Sequence, residues 1–238
     1  MAFCLAILSL VGDIVPEGLR WAVLFAGVGL LVLRITIPDS SPDSIDELLS
    51  DRFAFDANPI TDRLKNAKEI WIFAPAAVNL LSAHNSEILR TGPLSRTDSV
   101  VRVVVLDPTN DAAVELAKHQ LDDSLDYPLQ DFRASLQTTT NLLARMATWQ
   151  VGGSFEYRLL DYNPGFSLVA LDPSTRNGRL IVEFHGFHNE ATSSRMHIEI
   201  GRQQSDRWYT YWAEQFNEIW DTARLATDEN QVQRSITS

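Results

Sequence analysis

Ser99-Val100-Val101-Arg102-Val103-Val104-Val105-Leu106-Asp107-Pro108 holds the longest β-branched run in the chain. A nearly continuous apolar strand of this kind is buried on both faces, as in the interior of an α/β sheet. Asp-Pro stops it. Upstream, Glu69-Ile70-Trp71-Ile72-Phe73-Ala74 reads as a second strand, and Ile60, Leu64 and Ala67 mark a short amphipathic helix before it. Between the strands, Ala76 to Arg90 reads as a helix with Val78, Leu81 and Leu89 on one face. Downstream come helices over Asp111 to Leu121 and Asp126 to Trp149. The period then changes. Phe155 to Leu159, Phe166 to Leu171, Leu180 to His185 and Arg195 to Ile200 read as strands, and Asp206 to Leu225 as a closing helix rich in aromatic core residues. This order predicts an α/β fold with one mixed sheet and helices on its faces.

The chain has 238 residues, 45% of them hydrophobic, enough for one domain with a true core and an appendage. Its single cysteine, Cys4, excludes a disulfide framework and Cys-rich zinc modules. No Walker loop, G-x-G-x-x-G, H-E-x-x-H or G-x-S-x-G occurs. The net charge of −11 argues against general nucleic-acid binding, which needs a basic face.

Hydrophobicity concentrates at the N-terminal end. Ala2 to Val11 is apolar apart from Ser9, Pro16-Glu17-Gly18 interrupts, and Trp21 to Ile37 resumes. These segments are expected to form short transmembrane helices, as a hairpin or as one span beside an interfacial segment. The expected organisation is a membrane segment over 1–38, an acidic linker over 39–57, a soluble domain over 58–228 and a tail over 229–238. Asp13 and Arg34 are pore-lining candidates if several chains assemble, since intramembrane charges face a bundle interior. The alternative is that both mark helix ends at the water interface. With a hairpin both termini share a side, and the lone cysteine and the absence of a signal peptide make the cytoplasmic side of the inner membrane the expected one.

Chemistry-bearing residues gather in the second half. His185, His188 and His197 occur with Glu183, Arg195 and Glu199. Residues two apart on a strand share a face, so pairing of these strands would converge imidazoles and carboxylates. The cluster admits a ligand site, a metal site or a structural polar ladder. Arg102, Arg158 and Arg195 each lie in an expected strand, where a guanidinium requires an anion, either a carboxylate or a ligand. Tyr162-Asn163-Pro164-Gly165-Phe166-Ser167 offers a turn with polar groups.

The elements from Ala67 to Ala226 resemble one half of a phospholipase D-like domain. The resemblance rests on Lys68 to Ile72, Val101 to Pro108, Tyr157 to Asn163 and the closing helix from Trp212 to Arg224. Active members of that superfamily carry His-x-Lys, an aspartate five residues later and a following Gly-Ser-x-Asn. Setting Asp172 at that aspartate puts Gly165 at the histidine and Ser167 at the lysine, while Gly186-Phe187-His188-Asn189 resembles Gly-Ser-x-Asn. The resemblance therefore implies a degenerate, non-enzymatic relative that retains a phosphate-sized site. The expected ligand-binding set is Arg102, Arg158, Asn163, Ser167, His185, Asn189, Arg195 and His197, with no cofactor and no metal.

Membrane helices with a compact sensor are similar in layout to bacterial anti-phage effectors. The expected function is a sensor that binds an anionic nucleotide or short oligonucleotide and gates a homo-oligomeric pore. A membrane-anchored phosphodiesterase and a membrane-tethered protein-interaction module are the alternatives.

Overall fold

The valine run forms β2 (Val100–Leu106), with Val103 through Leu106 inaccessible to solvent. The computed structural model describes residues 17–36, 60–122, 131–189 and 195–226. The chain divides into two units, Met1–Ser44 and Ile45–Ser238.

In the second unit β2 lies between parallel neighbours, β1 (Glu69–Phe73) and β3 (Ser154–Leu160). β1 also pairs antiparallel with β4 (Phe166–Leu171), which continues through β5 (Arg179–Phe184) to β6 (His197–Gly201) as an antiparallel meander. A two-residue β7 (Arg224–Leu225) closes against β3. The seven strands run β6-β5-β4-β1-β2-β3-β7. The expected mixed sheet is therefore present, with a parallel half built by helical crossovers and an antiparallel half built by hairpins.

One face is covered by α6 (Asp206–Thr222). Its Phe216 stacks on Trp71 at 4.9 Å between ring centroids, and its Trp212 meets Phe166 edge-on at 5.1 Å. The other α-helices described in this unit are α2 (Ile60–Asn66), α3 (Ala83–Thr91), α4 (Asp111–Leu121) and α5 (Phe132–Met146). Side-chain caps decide where three of them start: Ser82, Asn110 and Asp131 each accept the N–H three residues on. The helix expected from Ala76 accordingly begins only at Ala83. Residues 74–82 instead form a loop, in which Ala77 takes a left-handed φ of 51°.

The first unit contains α1 (Glu17–Thr36). Its Trp21, Phe25 and Leu30 are more than half exposed. Among the described residues no helix is long and apolar enough to cross a membrane. The transmembrane expectation for Trp21 to Ile37 is therefore not borne out by the described residues. Glu17 and Arg20 at one end and Arg34 at the other leave only Trp21 to Leu33 uncharged. That is about 20 Å of helix, against a hydrocarbon core of about 30 Å. Arg34 lies in the last turn of α1. Asp13, the linker expected at 39–57 and the tail lie outside the described residues.

Asp172, matched in sequence to the superfamily aspartate, sits at the end of β4 with φ 49°. Its Oδ1 accepts the Lys68 and Glu69 N–H groups at 2.7 and 3.0 Å, pinning the start of β1. Asp172→Ala should cost about 1–3 kcal/mol of stability in urea unfolding, through the two lost hydrogen bonds. Asp172→Asn should cost less, because asparagine keeps an acceptor and tolerates the left-handed conformation.

Candidate functional site

The register of the antiparallel half aligns polar residues in rows. Ser167 faces Glu183, and Glu183 faces His197. One row further toward the sheet end, the His185 N–H donates to the Gly165 carbonyl at 3.1 Å. Alternate residues share a face. Ser167, Glu183, His185, Arg195 and His197 thus line one pocket of about 320 Å³. Its other walls come from the 74–80 loop after β1, from Leu121 and Asp122 at the end of α4, and from Phe132 and Ser135 at the start of α5.

His185 is 1% exposed, and its Nε2 lies 3.0 Å from Ser167 Oγ. Its Nδ1 is buried with no hydrogen-bond partner among the described residues. Burial, and then the nearby Arg195 charge, push its pKa down from 6.5 to about 3, so the ring is neutral at physiological pH. Arg195 donates from Nη2 to the Leu121 carbonyl at 2.9 Å, and its Nη1 stands 3.7 Å from Glu183 Oε1. Leu121 closes α4, so the guanidinium meets the negative end of a helix. His197 is 3% exposed.

Asn163 and Asn189 shape the site from behind. Asn163 donates to Gln120 Oε1 at 2.6 Å and accepts the Gly165 N–H at 3.4 Å, holding the turn where Gly165 has φ 83°. Asn189 donates to the His185 carbonyl at 2.8 Å across a turn where Gly186 has φ 67°. Glu199 is drawn away from the pocket into a two-point bond with Arg63 at 2.8 and 3.0 Å and a bond with Arg179 at 2.8 Å.

Arg102 and Arg158 do not join the pocket. Their guanidinium carbons lie 5.3 and 4.3 Å from the Trp220 ring centroid, against α6. Arg158 also donates to Glu156 Oε1 and to the Trp220 carbonyl, each at 2.8 Å. Arg158 thus finds its anion in a protein carboxylate and a helix end, Arg102 lies over the Trp220 ring, and both hold α6 to the sheet. The sequence reading also left the 74–80 loop, Asp122 and Phe132 out of the site. The Pro75-Ala76-Ala77 break was the only local signal for that loop. Among the described residues no three histidine, cysteine, aspartate or glutamate side chains are grouped to hold a metal ion.

No family model matches the chain. No curated protein matches it either. Solved structures similar to it include TrmBL2, an archaeal chromatin protein with a novel mode of DNA binding, and Nuc, a phospholipase D family member from Salmonella typhimurium. The first is 12% identical with a TM-score of 0.40, over 88% of this chain and 65% of that one. The chain thus spans just under two thirds of TrmBL2. The second is 11% identical with a TM-score of 0.38, over 70% of this chain and 87% of that one. At these scores neither likeness carries a residue role or an activity to this chain. The expectation of no general nucleic-acid binding rested on net charge alone; a DNA-binding protein among the similar structures runs against it without assigning DNA binding to this chain. Net charge sums over the whole chain and does not locate charge on the surface.

The neutral burial of His185 makes stability depend on pH. The unfolded chain takes up this proton near pH 6.5, the folded one only near pH 3. The stabilisation is complete above pH 6.5 and is lost as pH falls toward 3, at up to about 1.4 kcal/mol per pH unit. His185→Asn should remove that share, flattening the slope of unfolding free energy between pH 6 and 4 relative to wild type in urea titrations.

Proposed function

We propose that the Ile45–Ser238 unit is a non-hydrolytic sensor whose pocket takes part of a small phosphate-bearing ligand, a nucleotide or short oligonucleotide. The convergence of Ser167, Glu183, His185, Arg195 and His197 on one pocket supports this reading. The Ser167–His185 contact has the spacing of a nucleophile and its base, but two features oppose that chemistry. Protonating His185 beside Arg195 in a buried wall is disfavoured by about 1.4 kcal/mol for each unit its pKa is depressed. Among the described residues no carboxylate meets Nδ1 to steady an imidazolium. The sequence resemblance, which sets Gly165 and Ser167 at the positions of the phospholipase D histidine and lysine, supports the same reading.

Gating of a pore is not part of this reading, since no described helix is both long and apolar enough to span. α1 serves instead as an apolar attachment at the cytoplasmic membrane. Two measurements test the proposal. A thermal-shift screen with nucleotides and short oligonucleotides should find a stabilising ligand, and Ser167→Ala should weaken that ligand by about 0.5–1.5 kcal/mol, one hydrogen bond's worth. Phosphodiester hydrolysis should stay at the uncatalysed level. Turnover abolished by His185→Asn would replace the sensor with an enzyme.

A further inference from the structure

We propose that the cleft between the β4–β5 turn and the start of α6 is a second site, which takes the phosphodiester group of a nucleotide ligand. It shares no lining residue with the pocket and does not rest on the reading of that pocket. Arg176, Arg202, Gln203 and Asp206 line the cleft, and all four are exposed. Elsewhere arginines meet carboxylates: Arg63, Arg133, Arg158, Arg179 and Arg224 do so at 2.7 to 2.9 Å. Arg176 and Arg202 form no ion pair and donate no side-chain hydrogen bond among the described residues, although Asp206 shares their cleft. In a chain with 31 acidic residues against 20 lysines and arginines, two adjoining guanidiniums left out of ion pairs keep a local positive field for an anion.

The two walls are held before any ligand arrives. The Thr175 N–H donates to the Asp172 carbonyl at 2.9 Å and the Gly178 N–H to the Thr175 carbonyl at 3.2 Å, so Arg176 projects from a doubly bonded turn. The Arg202 N–H donates to the Gly178 carbonyl at 3.0 Å, and Gln203 Nε2 donates to Asn177 Oδ1 at 2.8 Å, which ties the second wall to the first. Behind them Tyr209 fills the space that a side chain at Gly178 would need, and its hydroxyl donates to the Pro173 carbonyl at 2.9 Å. The Arg202 guanidinium carbon stands 5.6 Å from the Tyr209 ring centroid. That contact orients the guanidinium through its face and leaves its N–H groups to point outward.

Charge and shape select the group. Two guanidiniums and one carboxylate leave the cleft with a single positive charge. A phosphodiester carries a single negative charge and balances it. A phosphomonoester, at about −1.5 to −2 near neutral pH, would press its excess against Asp206. A carboxylate also carries one charge, but one guanidinium fork satisfies its planar pair of oxygens. The tetrahedral oxygens of a phosphodiester point in different directions and meet forks that come from two separate turns.

The test uses the full chain with a dinucleoside monophosphate, uridylyl-uridine, which holds a single phosphodiester. Uridine, uridine 5′-monophosphate, inorganic phosphate and acetate are the comparisons, read by calorimetry at low salt. The dinucleoside monophosphate should bind, and uridine and acetate should bind at least about tenfold more weakly. Arg176→Ala and Arg202→Ala should each weaken it about tenfold or more, with the melting temperature unchanged because both side chains are exposed. Asp206→Asn should raise the affinity of the 5′-monophosphate relative to the diester. Ser167→Ala, in the pocket, should leave diester affinity as it is. Three results overturn the inference: no binding of the diester, binding that survives both arginine substitutions, or a 5′-monophosphate or inorganic phosphate more than about tenfold tighter than the diester. Diester binding lost in Ser167→Ala but indifferent to both arginine substitutions overturns this site and leaves the sensor reading of the pocket standing. Binding lost only with the arginines supports the cleft whatever the pocket holds.

Discussion

Antiparallel pairing sets Ser167 opposite Glu183 and Glu183 opposite His197, and the pocket depends on that register. A slip of one residue would exchange the two faces of a strand. Slipping β5 would drive Glu183 and His185 toward Trp212 on α6 and present Val182 and Phe184 to the pocket. The core opposes this. Phe166, Leu168, Val182 and Ile200 are nearly or wholly buried, and Phe166 and Phe184 both meet Trp212 edge-on. Apolar burial on one face therefore fixes the polar array on the other. The turn bonds of Asn163 and Asn189 hold the same register at the open end of the strands.

Charge is divided between the two halves of the sheet according to what each must do. In the parallel half, arginines serve the fold. Arg158 and Arg102 lie against Trp220, and Arg224 bonds Asp107 at 2.7 Å where the chain returns to the sheet. Glu199 with Arg63 and Arg179 does the same for the lower part of the meander. In the upper part, ionic and neutral polar groups share a concave surface. A buried neutral imidazole beside a guanidinium is costly to protonate, which makes the site a better hydrogen-bonding surface than a proton-transfer centre.

The periodicity of the sequence carried the architecture. The valine run, the Glu69 to Ala74 strand and the period-two segments after Ser154 all appear in the sheet as mixed parallel and antiparallel pairs. The alternation rule also brought His185, His197 and Arg195 together, because a strand's period leaves no freedom over which residues share a face. Helix ends were less legible, since a cap is one hydrogen bond made by one side chain. Asp131 and Ser82 look like any other polar residue until the backbone around them is placed.

What the sequence by itself determined was therefore the order, type and facing of the strands, and with them the polar row of the pocket. Tertiary structure decided which charged residues were already engaged. Arg102, Arg158 and Arg195 look alike as strand arginines, yet the first two are claimed by Trp220 and Glu156, and only Arg195 reaches the pocket. It also decided the walls opposite the strands, because the 74–80 loop and the ends of α4 and α5 meet there from distant parts of the chain. Local periodicity constrains neighbours along one strand. The partner of a guanidinium is set by packing between elements far apart in sequence, and only the folded chain brings those elements together.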